Sequence, residues 1–228
     1  MRLRQIIAPL LSAALAALGL LTAAPVAGAA APAATAIRGG DLLYSGSGGR
    51  CPIGFNAKNA ATFYAIMSGH CVGTVGAQWY ADPQHTIQVG VTEKVVFPGS
   101  DYAILRYTNT SYTYPSEVNG GAGRIIRINR ARQPVVGEPI CRTGPSTGWH
   151  CGTVQQTNVS ITFPQGTVNG LFRANVCAEP GDTGGPAVSG DAALGILVGG
   201  SGNCTSGGTT YYQPVVPILS ATGLQVGY

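Results

Sequence analysis

The sequence predicts an all-β fold, and three observations carry that reading. Short β-branched or aromatic runs recur between Gly, Pro, Asn and Asp punctuation from Ile37 onward, and no sustained helical period accompanies them. Glycine is abundant, at 34 of 228 residues, about 15% against an ordinary usage near 7%. Such a chain consists mostly of turns, strands and close backbone approaches. Charged residues make up only 10%, where soluble domains carry about 25%, which excludes a disordered polyelectrolyte, a coiled coil and an ordinary helix-rich protein.

The first element in chain order is a leader. Arg2 and Arg4 precede an apolar run, Ile6 to Leu21, broken by Pro9, Ser12 and Gly19, and Ala-rich sequence with small-x-small patterns follows at Ala27-Gly28-Ala29 and Ala34-Thr35-Ala36. This reads as a cleaved secretory signal peptide over residues 1–36, its end approximate, with no membrane span after it. An exported, extracellular protein is the expectation.

The strands come next: Thr62 to Met67, Thr86 to Val91, Tyr102 to Tyr107, Gly152 to Phe163, Gly170 to Val176, Leu194 to Val198 and Thr209 to Tyr212. The tail, Pro214 to Leu224, reads as a short helix. About 190 residues after the leader exceed one small β module, so two packed barrels sharing a cleft are expected. They divide within the polar stretch Asn109 to Gly123, read as a linker, into residues 37–115 and 116–228.

Charge and cysteines narrow the class. Without Arg2 and Arg4, 11 basic residues face 9 acidic ones, too weak an excess for nucleic acid. Arg124, Arg127, Arg130 and Arg132 cluster without interleaved aromatics and read as a solvated edge. The six cysteines, at 51, 71, 141, 151, 177 and 204, are even in number and contain no C-x-x-C pair, which favours disulfides in an oxidising compartment over zinc. Arithmetic alone leaves 15 pairings open.

Three strings stand out: Ser68-Gly69-His70-Cys71, Ser100-Asp101-Tyr102-Ala103-Ile104-Leu105, and Gly181-Asp182-Thr183-Gly184-Gly185-Pro186. Singly, each has a plain reading, as a buried histidine, a strand-capping aspartate and a glycine turn. Together, in that order, they supply the parts of acyl transfer by a hydroxyl. An imidazole takes the proton, a carboxylate fixes the imidazole, and backbone N–H donors sit in a glycine-rich turn.

At these residues the sequence resembles the chymotrypsin-like serine proteases, most closely the secreted bacterial streptogrisin and α-lytic type. The resemblance runs from Ile37-Arg38-Gly39-Gly40 through Cys141-Arg142-Thr143-Gly144 and Gly148-Trp149-His150-Cys151-Gly152 to Cys177-Ala178-Glu179-Pro180-Gly181-Asp182. It implies two six-stranded antiparallel β-barrels with the site between them, and sequential disulfides Cys51–Cys71, Cys141–Cys151 and Cys177–Cys204. It implies His70 as general base, Asp101 as orienting carboxylate, Thr183 at the nucleophile position and the N–H groups of Gly181 and Thr183 as oxyanion donors. Arg142 is expected to pair with a buried Asp182. The substrate pocket is expected at Asn175, Val176, Glu179, Pro180 and the edge Val198, Gly199, Gly200 and Ser201, whose backbone can add a substrate strand. No aspartate stands at the pocket floor before Cys177, so a medium apolar side chain is expected rather than Lys or Arg. The implied partners are a peptide or protein substrate and a protein protease inhibitor, met by a monomer with no cofactor, metal, nucleic acid or membrane.

Departures from that pattern shape the functional expectation. Thr183 stands where the family has serine, and its γ-methyl restricts χ1 and crowds the imidazole and the incoming carbonyl; a misplacement of about 1 Å costs on the order of a hundredfold in rate. Val198 stands where resembling enzymes carry a serine whose hydroxyl serves the orienting carboxylate. Such enzymes also usually carry a long pro-region, whereas 36 residues precede Ile37, and a protein that does not digest itself needs less kinetic protection. The expectation is a secreted endopeptidase of low activity, the alternative a silent pseudoprotease whose cleft binds a peptide or protein. Asp82 and His85 read as a turn, His150 as a hairpin residue, and the sequons at Asn109, Asn158 and Asn203 carry no weight. No dinucleotide or Walker-type glycine motif occurs.

Overall fold

The computed structural model describes residues 35–228, so all of the leader except Thr35 and Ala36 lies outside the described residues. The chain opens with β1 (Thr35–Ala36) and continues through β2 (Leu42–Ser45), β3 (Gly49–Pro52), β4 (Phe55–Asn59) and β5 (Thr62–Met67). A four-residue helix α1 (Gly69–Val72) leads into β6 (Gln78–Tyr80), β7 (Gln88–Val96) and β8 (Tyr102–Tyr107). Strands β2 to β8 form one sheet in the order β3-β2-β6-β7-β8-β5-β4. Its two ends, β3 and β4, are consecutive in the chain and separated only by Ile53 and Gly54, so the sheet is a ring of six strands with one strand bent. Glycine is required at the bend, since a Cβ at Gly54 would lie 2.2 Å from Ile196 Cγ2 and 2.9 Å from Ile66 O.

The connecting region holds β9 (Tyr112–Thr113), β10 (Glu117–Asn119), β11 (Ile125–Arg127) and β12 (Arg130–Ala131). A second sheet follows from β13 (Pro139–Arg142), β14 (His150–Phe163), β15 (Gly166–Ala174), β16 (Pro186–Ser189), β17 (Ala192–Asn203) and β18 (Gly207–Pro214), before helix α2 (Val215–Thr222). The order is β12-β17-β16-β13-β14-β15-β18, and β17 also pairs with β18, which closes six strands into a ring with the two-residue β12 as an appendage. Closure pairs the strands around each ring and leaves few exposed sheet edges.

Each barrel has its own core. Leu43, Ile53, Met67, Trp79, Val89 and Leu105 fill the first; Ile140, Val154, Phe172, Leu194, Leu197 and Tyr212 fill the second. A third cluster joins them, with Phe55, Ile66 and Ile104 of the first sheet against Val188 and Ile196 of the second and Val215 and Ile218 of α2. Burying each such side chain is worth about 1.5–3 kcal/mol, so the barrels are fixed to one another by the same force that fills them. Helix α2 stops at Gly223, whose left-handed backbone (φ 67°) caps it through a bond to Leu219 O.

Several expectations change. The stretch read as a linker contains two strands: β9 pairs in parallel with β1 and β10 pairs with β11, partners that supply the ladder bonds its polar composition concealed. Strand β7 begins at Gln88 rather than Thr86 because the Asp82 carboxylate accepts from the Thr86 and Ile87 N–H groups and from the Thr86 hydroxyl, holding that segment as a turn. Those same donors, the Thr86 N–H first, hold the exposed Asp82 carboxyl below its ordinary range. Strands β2, β3, β4, β6, β13 and β16 were not foreseen individually, being short and rich in Gly, Pro or polar residues.

Candidate active site

His70 sits in the single turn of α1, which starts at Ser68 and stops at Gly73. Asp101 lies just before β8, and β5, which leads into α1, pairs with β8, so two neighbouring strands deliver the imidazole and the carboxylate to one place. His70 Nδ1 is 2.7 Å from Asp101 Oδ2, and the His70 N–H donates to Asp101 Oδ1 at 2.9 Å. Asp101 is fully buried. Its own N–H donates to Gln213 Oε1 on β18 at 2.9 Å, a bond between the two sheets. An ionised carboxylate only accepts, so it pairs with the Nδ1–H tautomer, in which Nε2 is the acceptor nitrogen.

The ring of His70 is flanked by Phe97 and Phe163, with centroids 5.4 and 5.5 Å away. Those phenylalanines, with Val95, Pro164 and Gln165, border a cavity of about 460 Å³ beside His70. Phe163 is delivered by the β14–β15 hairpin. A larger cavity of about 660 Å³, bordered by Phe63, Tyr112, Tyr114 and Tyr228, touches none of the candidate residues.

Thr183 lies half-buried in the turn before β16. Gly181 has φ 99°, a region that favours glycine, and a Cβ there would meet Ser146 Oγ at 2.4 Å. Within the turn the Asp182 N–H donates to Glu179 O and the Gly185 N–H to Asp182 O. The N–H groups of Gly181 and Thr183 donate to nothing among the described residues. The Gly184 carbonyl packs against Gly54, and Cys51, three residues before it, is joined to Cys71 of α1. The turn and the helix bearing His70 are thus anchored to the same bent strand.

Arg142 and Asp182, both fully buried, approach to 3.1 Å. Arg142 also donates to Cys177 O at 2.9 Å and to Thr147 Oγ1 at 2.6 Å. Asp182 accepts from the N–H groups of Ser146 and Glu179 and from the Thr147 hydroxyl at 2.6 Å. Burial alone would raise the Asp182 carboxyl; the Thr147 hydroxyl, the Glu179 N–H and Arg142 outweigh it and hold the group below its ordinary value. Ser146 and Thr147 were missed in the sequence, although they lie in the Thr143-Gly144 to Gly148-Trp149 segment that carries part of the resemblance.

The residues expected to form the pocket fall on two facing edges. Cys177–Cys204 ties one to the other, the Cys204 N–H donates to Glu179 Oε1, and the Thr210 hydroxyl donates to Val176 O while Thr210 pairs with Gly200. Asn175 is turned to β14, its Oδ1 accepting from Thr153 N–H, and Pro180 O accepts from Ser146 Oγ. Val198 is the extra residue of a bulge between Leu197 and Gly199 and is buried with Val168 and Leu171. From Val198 to Asn203, β17 pairs only with β18 among the described residues, so its other edge is open. The expected pocket residues do not border the cavity beside His70, which Phe97 and Phe163 define instead. Neither phenylalanine carries a local signal in sequence.

The three disulfides are Cys51–Cys71, Cys141–Cys151 and Cys177–Cys204. The sulfurs of Cys177 and Cys204 lie near His150, but they are spent in a disulfide and His150 Nε2 is 3.0 Å from Thr147 O, so the group offers no thiolate to a metal. The arginine cluster is a solvated edge, as expected, with Arg124, Arg127 and Arg130 exposed; Arg130 pairs with Asp191, Arg132 with Glu138, and Arg124 lies over Trp149. No described helix is long and apolar enough to cross a membrane.

Comparison with known proteins identifies the family. The family model described as Trypsin matches residues 64–221. Streptogrisin-C of Streptomyces griseus is 45% identical over 188 residues, covering 82% of this chain and 40% of that protein. Streptogrisin-D of the same organism is 41% identical over 192 residues, covering 84% and 48%; the chain therefore spans less than half the length of these two relatives. Among solved structures, alpha-lytic protease homolog N4 shares 55% identity with a TM-score of 0.77, over 84% of this chain and 99% of that one. The chain belongs to the trypsin-like, chymotrypsin-fold family of serine proteases.

Proposed function

We propose that the chain is a secreted endopeptidase that cleaves peptide bonds through an acyl-enzyme, with Thr183 as a slow nucleophile. The observation that carries this reading is the buried Asp101 carboxylate 2.7 Å from His70 Nδ1, with Nε2 left as the proton acceptor. In the proposed reaction the Thr183 hydroxyl gives its proton to Nε2 while its oxygen bonds to the scissile carbonyl carbon. The carbonyl oxygen takes the negative charge and accepts from the Gly181 and Thr183 N–H groups, which have no other partner among the described residues. His70 then protonates the leaving amine as the C–N bond breaks, and water repeats the sequence on the threonyl ester. Arg142 and Asp182 hold the turn. The open edge of β17 at Val198, Gly199 and Gly200 supports pairing with an extended peptide, and Phe97 and Phe163 beside His70 support an apolar side chain there. A protein inhibitor presenting an extended loop would occupy the same edge.

The second reading, a silent pseudoprotease that uses the cleft to bind a peptide or protein, is favoured by one observation: among the described residues, no hydrogen bond joins Thr183 to His70. The test is a fluorophosphonate probe and a panel of peptide anilides applied to the parent, to Thr183→Ser and to His70→Ala. The endopeptidase reading expects weak turnover in the parent, lost in His70→Ala, and an increase on the order of a hundredfold in Thr183→Ser. Silence in the parent with turnover only in Thr183→Ser would establish the silent form.

A further inference from the structure

Ser68 has extended backbone (φ −72°, ψ 133°) at the entry to α1 and no exposed surface. Its Oγ is 3.2 Å from each carboxylate oxygen of Asp101 and 3.1 Å from His70 Nδ1. The 2.7 Å contact between Nδ1 and Asp101 Oδ2 takes the imidazole proton. The hydroxyl therefore has only the carboxylate to donate to, and its lone pairs face the Nδ1 proton.

Asp101 is a fully buried carboxylate with three donors among the described residues: the His70 N–H, the His70 Nδ1–H and the Ser68 hydroxyl. Ser68 is thus the one donor that does not come from the histidine itself. Val198 is apolar and buried in a cluster with Val168 and Leu171, and offers nothing. The competing role for Ser68, capping α1, rests on a bond from the Cys71 N–H of 3.4 Å, at the limit of a hydrogen bond, in a helix of four residues.

We propose that Ser68 is a positioning residue: its hydroxyl bridges the Asp101 carboxylate and holds it on His70 Nδ1, so that Nε2 is the nitrogen presented to the reacting hydroxyl. Ser68 acts through Asp101 and touches neither substrate nor the reacting atoms. The inference deepens the hydrolytic reading of the site and rests on it.

The test combines a signal that needs no turnover with one that does. The Nδ1–H proton resonance of His70 is recorded by NMR in the parent, in Ser68→Ala and in Ser68→Thr, and the same two changes are made in the Thr183→Ser protein to measure kcat and KM on a peptide anilide. The expected result is that Ser68→Ala shifts or broadens the Nδ1–H resonance and lowers kcat about 10- to 100-fold, the size of a lost bond to a charged group, with KM within about twofold, while Ser68→Thr keeps both signals. An unmoved resonance with kcat within about twofold in Ser68→Ala overturns the assignment, as does an equal loss in Ser68→Ala and Ser68→Thr. Should Thr183→Ser show no turnover, the hydrolytic reading fails, and the resonance alone decides for or against Ser68.

Discussion

Asp182 shows how one residue can be named from sequence while its environment cannot. Its pairing with Arg142 was expected from the resemblance, but the closer donor is the Thr147 hydroxyl, 35 positions away, at 2.6 Å against 3.1 Å for the guanidinium. Because the folded protein holds the Asp182 carboxyl below its ordinary value of 3.8, folding favours the ionised form. The stabilisation is therefore complete above the unfolded value and is lost as pH falls through the lowered folded one. The urea midpoint should be level from about pH 7 to pH 5 and drop below about pH 4, and Asp182→Asn should flatten that acid limb relative to the parent. An acid limb of equal steepness in both proteins would show that Asp182 is not its source. At Thr183 the expectation of slow chemistry rests on residue type alone, since the extra methyl is a property of the side chain. Ser68 shows no role by sequence, because nothing local indicates that its hydroxyl faces a carboxylate 33 residues on.

At the scale of elements, strands β5 and β8 were legible with their limits intact because β5 is an unbroken run of β-branched, aromatic and apolar residues and β8 departs from one only at Arg106. The short strands are not legible, and β9 and β10 read as linker, because a strand of two or three residues exists only through its partner. The disulfides brace elements of different reach. Cys141 and Cys151 are 10 residues apart and face one another across β13 and β14, whereas Cys177 and Cys204, 27 apart, join the turn before Thr183 to the end of β17. On the chain-entropy model, replacing both cysteines of the longer loop by alanine should destabilise by about 1 kcal/mol more than doing so for the shorter one. Urea unfolding of the two double variants measures this difference, and a reversed order would show that native contacts rather than loop length dominate.

Across the whole molecule, the site depends on the two barrels being held in one arrangement. The cluster of Phe55, Ile66 and Ile104 with Val188, Ile196 and α2 supplies apolar contact, and Gln213 of the second barrel accepts from the Asp101 N–H of the first. Gln213→Leu should leave that buried N–H without a partner and cost about 1–3 kcal/mol, read as a lower urea midpoint; an unchanged midpoint would mean that the bond contributes nothing to the joint. The all-β class, the cysteines, and the histidine, aspartate and hydroxyl strings are readable without coordinates, because they follow from residue type and local punctuation. That Ser68 meets Asp101, that Thr147 meets Asp182, that Gln213 spans the barrels and that Phe97 and Phe163 wall the imidazole is visible in the folded protein alone. Each of those contacts joins residues tens of positions apart through strand pairing and barrel closure, and short-range pattern holds no record of which distant side chain fills the space or supplies the proton.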